Sequence, residues 1–444
     1  MHATVSGSRP RGSCTRHTTF GYDQRGLQLW TVTPRGNAAG ADPAAYRTDT
    51  VYDQVGKVVT VTAPPVSVEE AGGTAVTARP VTRNGFNTFG DQAGLVDTRG
   101  NLTRRSYDRL GRLTRVDHPA YTPPAGGATQ NPYETFAYDK VGNQTSSRDR
   151  RGNVTDYRFD ARNRVVQRTD PLVDGQATRG VWQTTWDDAG NQSGQVTPTG
   201  ASTTTGYDDL GRARSRTSVV RQQGGGAFTT LFGHDDLGNQ TWQRDPVGLT
   251  ATTVYDAASQ PFAATDQAGK TTTFTWDAAG RRTAETDPLG RRLEHSFDQA
   301  GRETSTTQRA ADGTLLSRTW ADYDPDSNLA VSRSARSSGP TDATYASTAT
   351  FDALGRLTSV TEPGTPAATT SYGYDAAGNL TRLTDGNGHA TTYTWTPWNT
   401  PASTIEPPTP GQTNQADARK RSHEIAMIAN PGTIISLLLR KPEE

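Results

Sequence analysis

The sequence predicts an all-β protein: a repeat array of antiparallel β-hairpins, 21 residues per unit, laid side by side as a ribbon. The first observation behind this is an aromatic-Asp-x-x-Gly unit that recurs along most of the chain. It reads YDQRG (22–26), YDQVG (52–56), YDRLG (107–111), YDKVG (138–142), WDDAG (186–190) and YDDLG (207–211), then HDDLG (234–238), WDAAG (276–280), FDQAG (297–301), FDALG (351–355) and YDAAG (374–378). The second is its spacing: Asp235, Asp256, Asp277 and Asp298 follow one another at 21 residues, as do Asp139 and Asp160, Asp187 and Asp208, and Asp375 and Thr396. The third is what lies between the turns. Those segments are rich in Thr, Tyr, Phe, Trp, Val and Arg, which favour strands, and none within the array sustains a helical period.

Each unit divides in two. About ten residues after the aromatic-Asp comes a second Asp-x-x-Gly, at Asp149, Asp245, Asp266, Asp287 and Asp385, so a unit is two strands, each closed by a turn. In TTTFTWD, Phe274 and Trp276 lie two apart and share one face, with Thr273 and Thr275 on the other. Decayed copies continue the period: FNTFG at 86, FDARN at 159, YDAAS at 255, YDPDS at 323 and WTPWN at 395.

The motif has a complete backbone rationale. In a type I turn an Asp in first position accepts the amide two residues on, and Gly in fourth position takes the positive φ that a Cβ resists. That is a three-residue hairpin loop with a glycine bulge, and Pro246 and Pro288 fit the second position. The residues expected to carry the repeat are Tyr107, Asp108 and Gly111; Tyr138, Asp139 and Gly142; Trp186, Asp187 and Gly190; Tyr207, Asp208 and Gly211; Trp276, Asp277 and Gly280; Phe297, Asp298 and Gly301; Phe351, Asp352 and Gly355; and Tyr374, Asp375 and Gly378. Their role is structural. No catalytic, cofactor-binding or metal-binding residue is assigned.

Only 32% of residues are hydrophobic, so 15 Tyr, 11 Phe and 8 Trp must supply much of the apolar surface, and the core is expected to be a buried aromatic ribbon. A formal charge of zero argues against a dedicated nucleic-acid or membrane-surface binder. The single cysteine, Cys14, excludes an intrachain disulfide and a cysteine-based zinc site. The N-terminus lacks the apolar stretch of a secretion signal, and no run reaches the roughly 18 apolar residues of a membrane span. Longer steps in the period coincide with turn-rich insertions at 121–132, 173–180 and 221–228, read as loops that the array tolerates.

Aromatic-Asp-x-x-Gly-[Arg/Asn]-Leu units at this period resemble the YD repeats of the Rhs family. YDRLGRLT (107–114), FDALGRLT (351–358) and YDAAGNLT (374–381) carry the likeness, which covers roughly residues 20 to 400. The resemblance implies a curved or spiralling β-ribbon that is part of an Rhs-type shell, able to enclose a toxic C-terminal domain. It also implies a secreted or cell-surface setting, and partners that are that toxic domain, neighbouring Rhs segments or surface carbohydrate. Sixteen units, intact and decayed, are few for a closed shell, so a fragment or short member of a larger bacterial polymorphic-toxin or wall-associated protein is expected. TDPLGRR (286–292) resembles part of the family's protease-bearing closing segment, yet sits at an ordinary half-repeat position.

The domain plan is a ragged N-terminus over 1–19, the array over 20–403 and a divergent tail over 404–444. Isoleucine first appears at Ile405, and KRSHEIAMIANPGTIISLLLRKPEE breaks both period and composition. The tail reads as the start of a variable domain, as a small apolar element against the last hairpin, or as degenerate sequence after a truncation. Histidines 118, 234, 295, 389 and 423 show no metal-ligand spacing and no carboxylate pairing at such spacing. One Asp per turn, flanked by Arg, is not the oxygen cluster calcium requires. The expected function is a non-catalytic shell or scaffold segment. The alternatives are a carbohydrate or cell-surface binding module and a non-functional gene remnant, with an Asp-based hydrolase the weakest reading.

Overall fold

A computed structural model describes residues 16–123, 127–219, 226–407 and 420–422. Cys14, His423 and the insertion residues 221–225 lie outside the described residues, as does most of the tail. The fold is the predicted one: antiparallel strands in a large open sheet, with a short 3-10 turn at Pro43–Tyr46. The chain clusters into two compact units, Met1–Tyr133 with Tyr323–Ala330 and Ser347–Glu444, and Glu134–Asp322 with Val331–Ala346.

The second unit shows the plan. Strand Thr271–Trp276 pairs with Arg282–Thr286 in the register Thr273↔Thr286, Phe274↔Glu285 and Thr275↔Ala284, and the register shifts before Trp276↔Arg282. Arg282–Thr286 then pairs with Arg292–Phe297 through Ala284↔Glu294. The same shift precedes the aromatic in the hairpins ending at Tyr107, Tyr138, Trp186, Tyr207, Phe297, Phe351 and Tyr374. It is the bulge that a positive-φ fourth residue imposes on a three-residue loop.

The turns follow the predicted chemistry. In the 277 turn the Asp277 amide donates to Arg281 O at 2.9 Å and Gly280 donates to Asp277 O at 3.0 Å, while Gly280 adopts φ +78°. The decayed copies close the same turn with Asn163, Ser259, Ser327 and Asn399 at positive φ. Turns also form where the first-position Asp is absent, as at Thr197 and Ala310. In the first, the Thr197 hydroxyl takes the Asp carboxylate's place and accepts from Ala201 N at 3.1 Å.

The expected buried aromatic ribbon is corrected. Thr272, Phe274 and Trp276 do share one face, but the face is half-buried, and no aromatic is among the buried hydrophobics Val32, Val66, Val116, Ala284 and Ala402. Among the described residues the main strand contacts are with sheet neighbours, except where strand Val66–Val68, paired with Val76–Ala78, lies on strand Ala368–Tyr374. Without a second layer over it, an aromatic face cannot leave water completely. Cohesion comes instead from the ladder and from polar ties between successive units.

Those ties are regular. Where the repeat aromatic is Tyr107, Trp186, Tyr207 or Trp276, its polar tip donates to the first carbonyl of the preceding return strand. Tyr107 Oη reaches Gln92 O at 2.9 Å, Trp186 Nε1 reaches Val165 O at 3.0 Å, Tyr207 Oη reaches Gln192 O at 2.8 Å, and Trp276 Nε1 reaches Pro261 O at 2.8 Å. In the other direction the arginine after the glycine reaches the next turn. Arg212 Nη1 donates to Asp235 O at 2.7 Å and Arg356 Nη1 to Asp375 O at 3.0 Å, with Arg356 4.8 Å from the Tyr374 ring centre. Each such bond contributes about 1 kcal/mol and each cation–π contact about 0.5–1 kcal/mol. Three of the asparagines that replace arginine support a decayed neighbour: Asn143 to Asn163, Asn239 to Ser259 and Asn379 to Asn399, at 2.9, 3.1 and 2.9 Å.

Candidate functional site: turn edges and the joint they form

The meander places aromatic-Asp turns along one edge of the ribbon and half-repeat turns along the other. Asp277 and Asp287 therefore stand at opposite ends of the strand Arg282–Thr286, about 17 Å of extended chain. Each is occupied locally. Asp277 Oδ1 accepts from Ala279 and Arg281 amides at 2.9 and 3.0 Å, and Asp287 Oδ1 accepts from Leu289 and Arg291 at 3.0 and 2.9 Å. They share no substrate position.

The residue after the glycine sets the charge of a turn. Where it is arginine, its Nε bonds the second carboxylate oxygen: Arg112 to Asp108, Arg212 to Asp208 and Arg281 to Asp277, at 2.7, 2.7 and 2.6 Å. The main-chain amide of that arginine, followed by its side chain, holds these carboxyls below the ordinary value of 3.8. Where it is asparagine, as in the turns of Asp139, Asp187 and Asp235, the neutral amide side chain of Asn143, Asn191 or Asn239 lowers the carboxyl without bringing a positive charge of its own.

Within the first unit that difference is used. Arg99, third in the half-repeat turn Asp97–Gly100, donates from Nη2 to Thr396 O at 2.6 Å and to Asn399 Oδ1 at 2.8 Å, and its Nη1 lies 3.4 Å from Asp375 Oδ2. Arg35, third in Thr33–Gly36, donates to Asp324 Oδ2 at 3.1 Å and to the carbonyl of Asp352, and its amide donates to Asp326 Oδ1 at 2.8 Å. Asp324 and Asp375 both belong to asparagine turns. Burial raises the Asp324 carboxyl, but Asn328 and Arg35 outweigh it and the net shift is downward.

Two segments outside the period fasten the same joint. In the first, the Glu69 side chain, 3% exposed, accepts from Thr381 Oγ1 at 3.0 Å and from Arg382 Nη2 at 3.1 Å, and its amide donates to Tyr374 O at 2.8 Å. Its carboxylate lies where a Cβ on Gly373 would be, and Gly72, at φ +74°, abuts Thr392 in the same way. In the second, Tyr121 meets Trp398 edge-to-face at 5.4 Å. The insertion at 121–132, expected as a tolerated loop, is thus one of the fasteners. Glu69, Arg35, Arg99 and Arg382 were not among the residues singled out from sequence. The usable signal was the step from Asp53 to Asn87, 34 residues instead of 21.

Two histidines pair with carboxylates. His295 Nδ1 lies 3.1 Å from Glu303 Oε2 across two strands, and His389 Nδ1 lies 3.3 Å from Asp385 Oδ2 across its turn. Among the described residues no three His, Cys, Asp or Glu side chains gather to hold a metal ion, and no helix is long and apolar enough to cross a membrane. The tail adds a short strand, Lys420–Ser422, antiparallel to Pro401–Ile405.

The RHS Repeat family model matches residues 138–172, 255–292, 351–390 and 374–407. No curated protein sequence matches the chain. Similar solved structures include TcdB2-TccC3-Cdc42, at 16% identity and TM-score 0.65 over 91% of this chain and 25% of that one. TcdB2-TccC3 without its hypervariable C-terminal region matches at 18% and 0.67 over 85% and 22%, and the Photorhabdus luminescens Tc holotoxin pore at 16% and 0.63 over 91% and 25%. At such identities the likeness is one of fold, and the chain spans about a quarter of the length of the solved chains it matches.

Proposed function

This chain is built of RHS repeats, and from that premise we propose that it is a non-catalytic wall segment of an Rhs-type shell, part of a larger toxin-delivery or cell-surface protein. In this reading residues 20–403 are the wall and the eight Tyr/Trp/Phe-Asp-Gly sets are its structural repeat, with no catalytic duty. The observation that carries it is the joint of the first unit. There the half-repeat edge of one stretch of ribbon sits on the aromatic-Asp edge of another through Arg35 and Arg99, with Glu69 of a segment outside the period fastening it, across 289 to 313 residues of sequence. Ribbon edges that recognise each other build a surface rather than a pocket. The similar Tc chains support a toxic C-terminal domain or neighbouring Rhs segments as partners, and a secreted setting.

A second reading, binding of surface carbohydrate, draws on exposed rings such as Phe89 and Phe262, 90% and 45% exposed. Small-angle scattering and electron microscopy of the purified chain test the first reading. The expected result is a curved wall with a radius of gyration well above the about 22 Å of a compact domain of this length. A compact particle near that value refutes it. Saturable glycan binding abolished by Phe89→Ala with Phe262→Ala would favour the second.

A further inference from the structure

The joint in the first unit has an unoccupied counterpart in the second. The occupied edge consists of three successive aromatic-Asp turns in the order asparagine, arginine, asparagine: Asp324 with Asn328, Asp352 with Arg356, Asp375 with Asn379. The two asparagine turns receive Arg35 and Arg99, and Leu354 at the tip of the middle turn is 43% exposed. The turns of Asp187, Asp208 and Asp235 repeat that order, with Asn191, Arg212 and Asn239. Here, among the described residues, the Oδ2 of Asp187 and of Asp235 accept only from their own asparagines, at 3.0 and 2.9 Å, and the tip residues Leu210 and Leu237 are 75% and 72% exposed.

A second observation points the same way. The sequence contains Asp-Asp three times, at 187–188, 208–209 and 235–236, which are these three turns. Asp188, Asp209 and Asp236 are exposed, and none enters an ion pair among the described residues. The nearby arginines, Arg162, Arg164 and Arg212, bond main-chain carbonyls of the edge, at Asp188, Asp187 and Asp235. A chain with no net charge thus concentrates unneutralised carboxylates beside two exposed leucines on one edge.

We propose that this edge is a docking surface for the turn edge of a further β-ribbon layer that presents arginines in third turn position, as Thr33–Gly36 and Asp97–Gly100 do. The guanidinium groups would enter the Asp187 and Asp235 turns, on either side of the exposed Leu210 and Leu237. The inference deepens the wall reading and rests on it for the kind of partner. Scattering tests the wall and the following binding experiment tests the edge, so each can fail alone.

The probe is a disulfide-cyclised hairpin with the sequence of residues 92–104, which carries Arg99 in its turn, titrated into the full chain at low salt. The chain variant is Asp187→Asn with Asp235→Asn. Asparagine keeps the turn, since Asn87 Oδ1 already accepts from the Phe89 and Asp91 amides at 2.9 Å each. The expected result is saturable binding, weakened about tenfold or more by the double variant and equally by Arg99→Ala in the hairpin, and unchanged by Asp277→Asn. No saturable binding up to millimolar hairpin overturns the proposal. So does binding that the double variant leaves intact, or equal binding of a linear scrambled peptide of the same charge, which would mark a general attraction for cations.

Discussion

Replacing Glu69 with alanine tests whether the segment outside the period is a fastener or a passenger. The Glu69 and Arg382 side chains are 3% and 29% exposed, and Thr381, the second donor to the carboxylate, is 1% exposed. Removing one partner of a fully buried ion pair costs about 3–5 kcal/mol because the other charge is left without compensation. Arg382 keeps some contact with water, so about 2–3 kcal/mol is expected here, including the orphaned Thr381 hydroxyl. A repeat array does not unfold as one two-state unit, so the effect belongs to local opening rather than to a global melting temperature. At about 1.4 kcal/mol per factor of ten, local opening rises roughly fiftyfold. Native-state hydrogen exchange reads it directly, at the Glu69 amide bonded to Tyr374 O and across residues 66–78. Glu69→Gln keeps an acceptor for Thr381 and falls between. Gly373→Ala, which places a methyl group in the carboxylate's position, reproduces the opening without touching a charge. Exchange over 66–78 no faster in Glu69→Ala than in the unsubstituted chain would refute the fastener, as would equal acceleration by Glu285→Ala, whose pair with Arg282 is solvent-exposed.

Acid should dissolve the turns together. The carboxyls of Asp108, Asp208 and Asp277 are held below 3.8 in the fold, so their contribution is complete above that value and is lost as pH falls through the lower folded-state values. Thermal melts are expected to be flat from neutral pH to near 4 and to drop below it. The loop around Asp342, whose carboxyl is pulled down to about 2 by the Ser338 and Thr344 amides, should keep its local structure to the lowest pH. Trp276→Phe removes the bond to Pro261 O and should cost about 1 kcal/mol in local exchange between the 255 and 276 hairpins. In Gly233→Ala the new methyl group overlaps the Trp242 ring, so the indole must move, seen as a red shift in fluorescence.

The turn was legible because its causes are local. An Asp that caps two amides, a Gly at positive φ and a proline in second position act within five residues, and repetition at 21 made each instance reinforce the next. Even decayed copies such as FDARN kept their geometry, because Asn163 tolerates the left-handed region and Asn143 supports it. The degree of burial was not legible. Alternation tells which residues share a face, as with Phe274 and Trp276, but not whether a second layer covers that face. The meaning of the irregular segments was hidden for the same reason. Glu69 and Tyr121 act on Thr381, Arg382 and Trp398, hundreds of residues away, and no short-range pattern encodes a partner at that distance.

By itself, then, the sequence determined the strand, the turn, the period and the sign of charge at each turn, since all of these follow from neighbours along the chain. Only the tertiary structure decided which turns meet. Asp375 and Asp187 sit in nearly identical turns, yet one receives Arg99 and the other faces water, because docking depends on which edges the folded ribbon brings together.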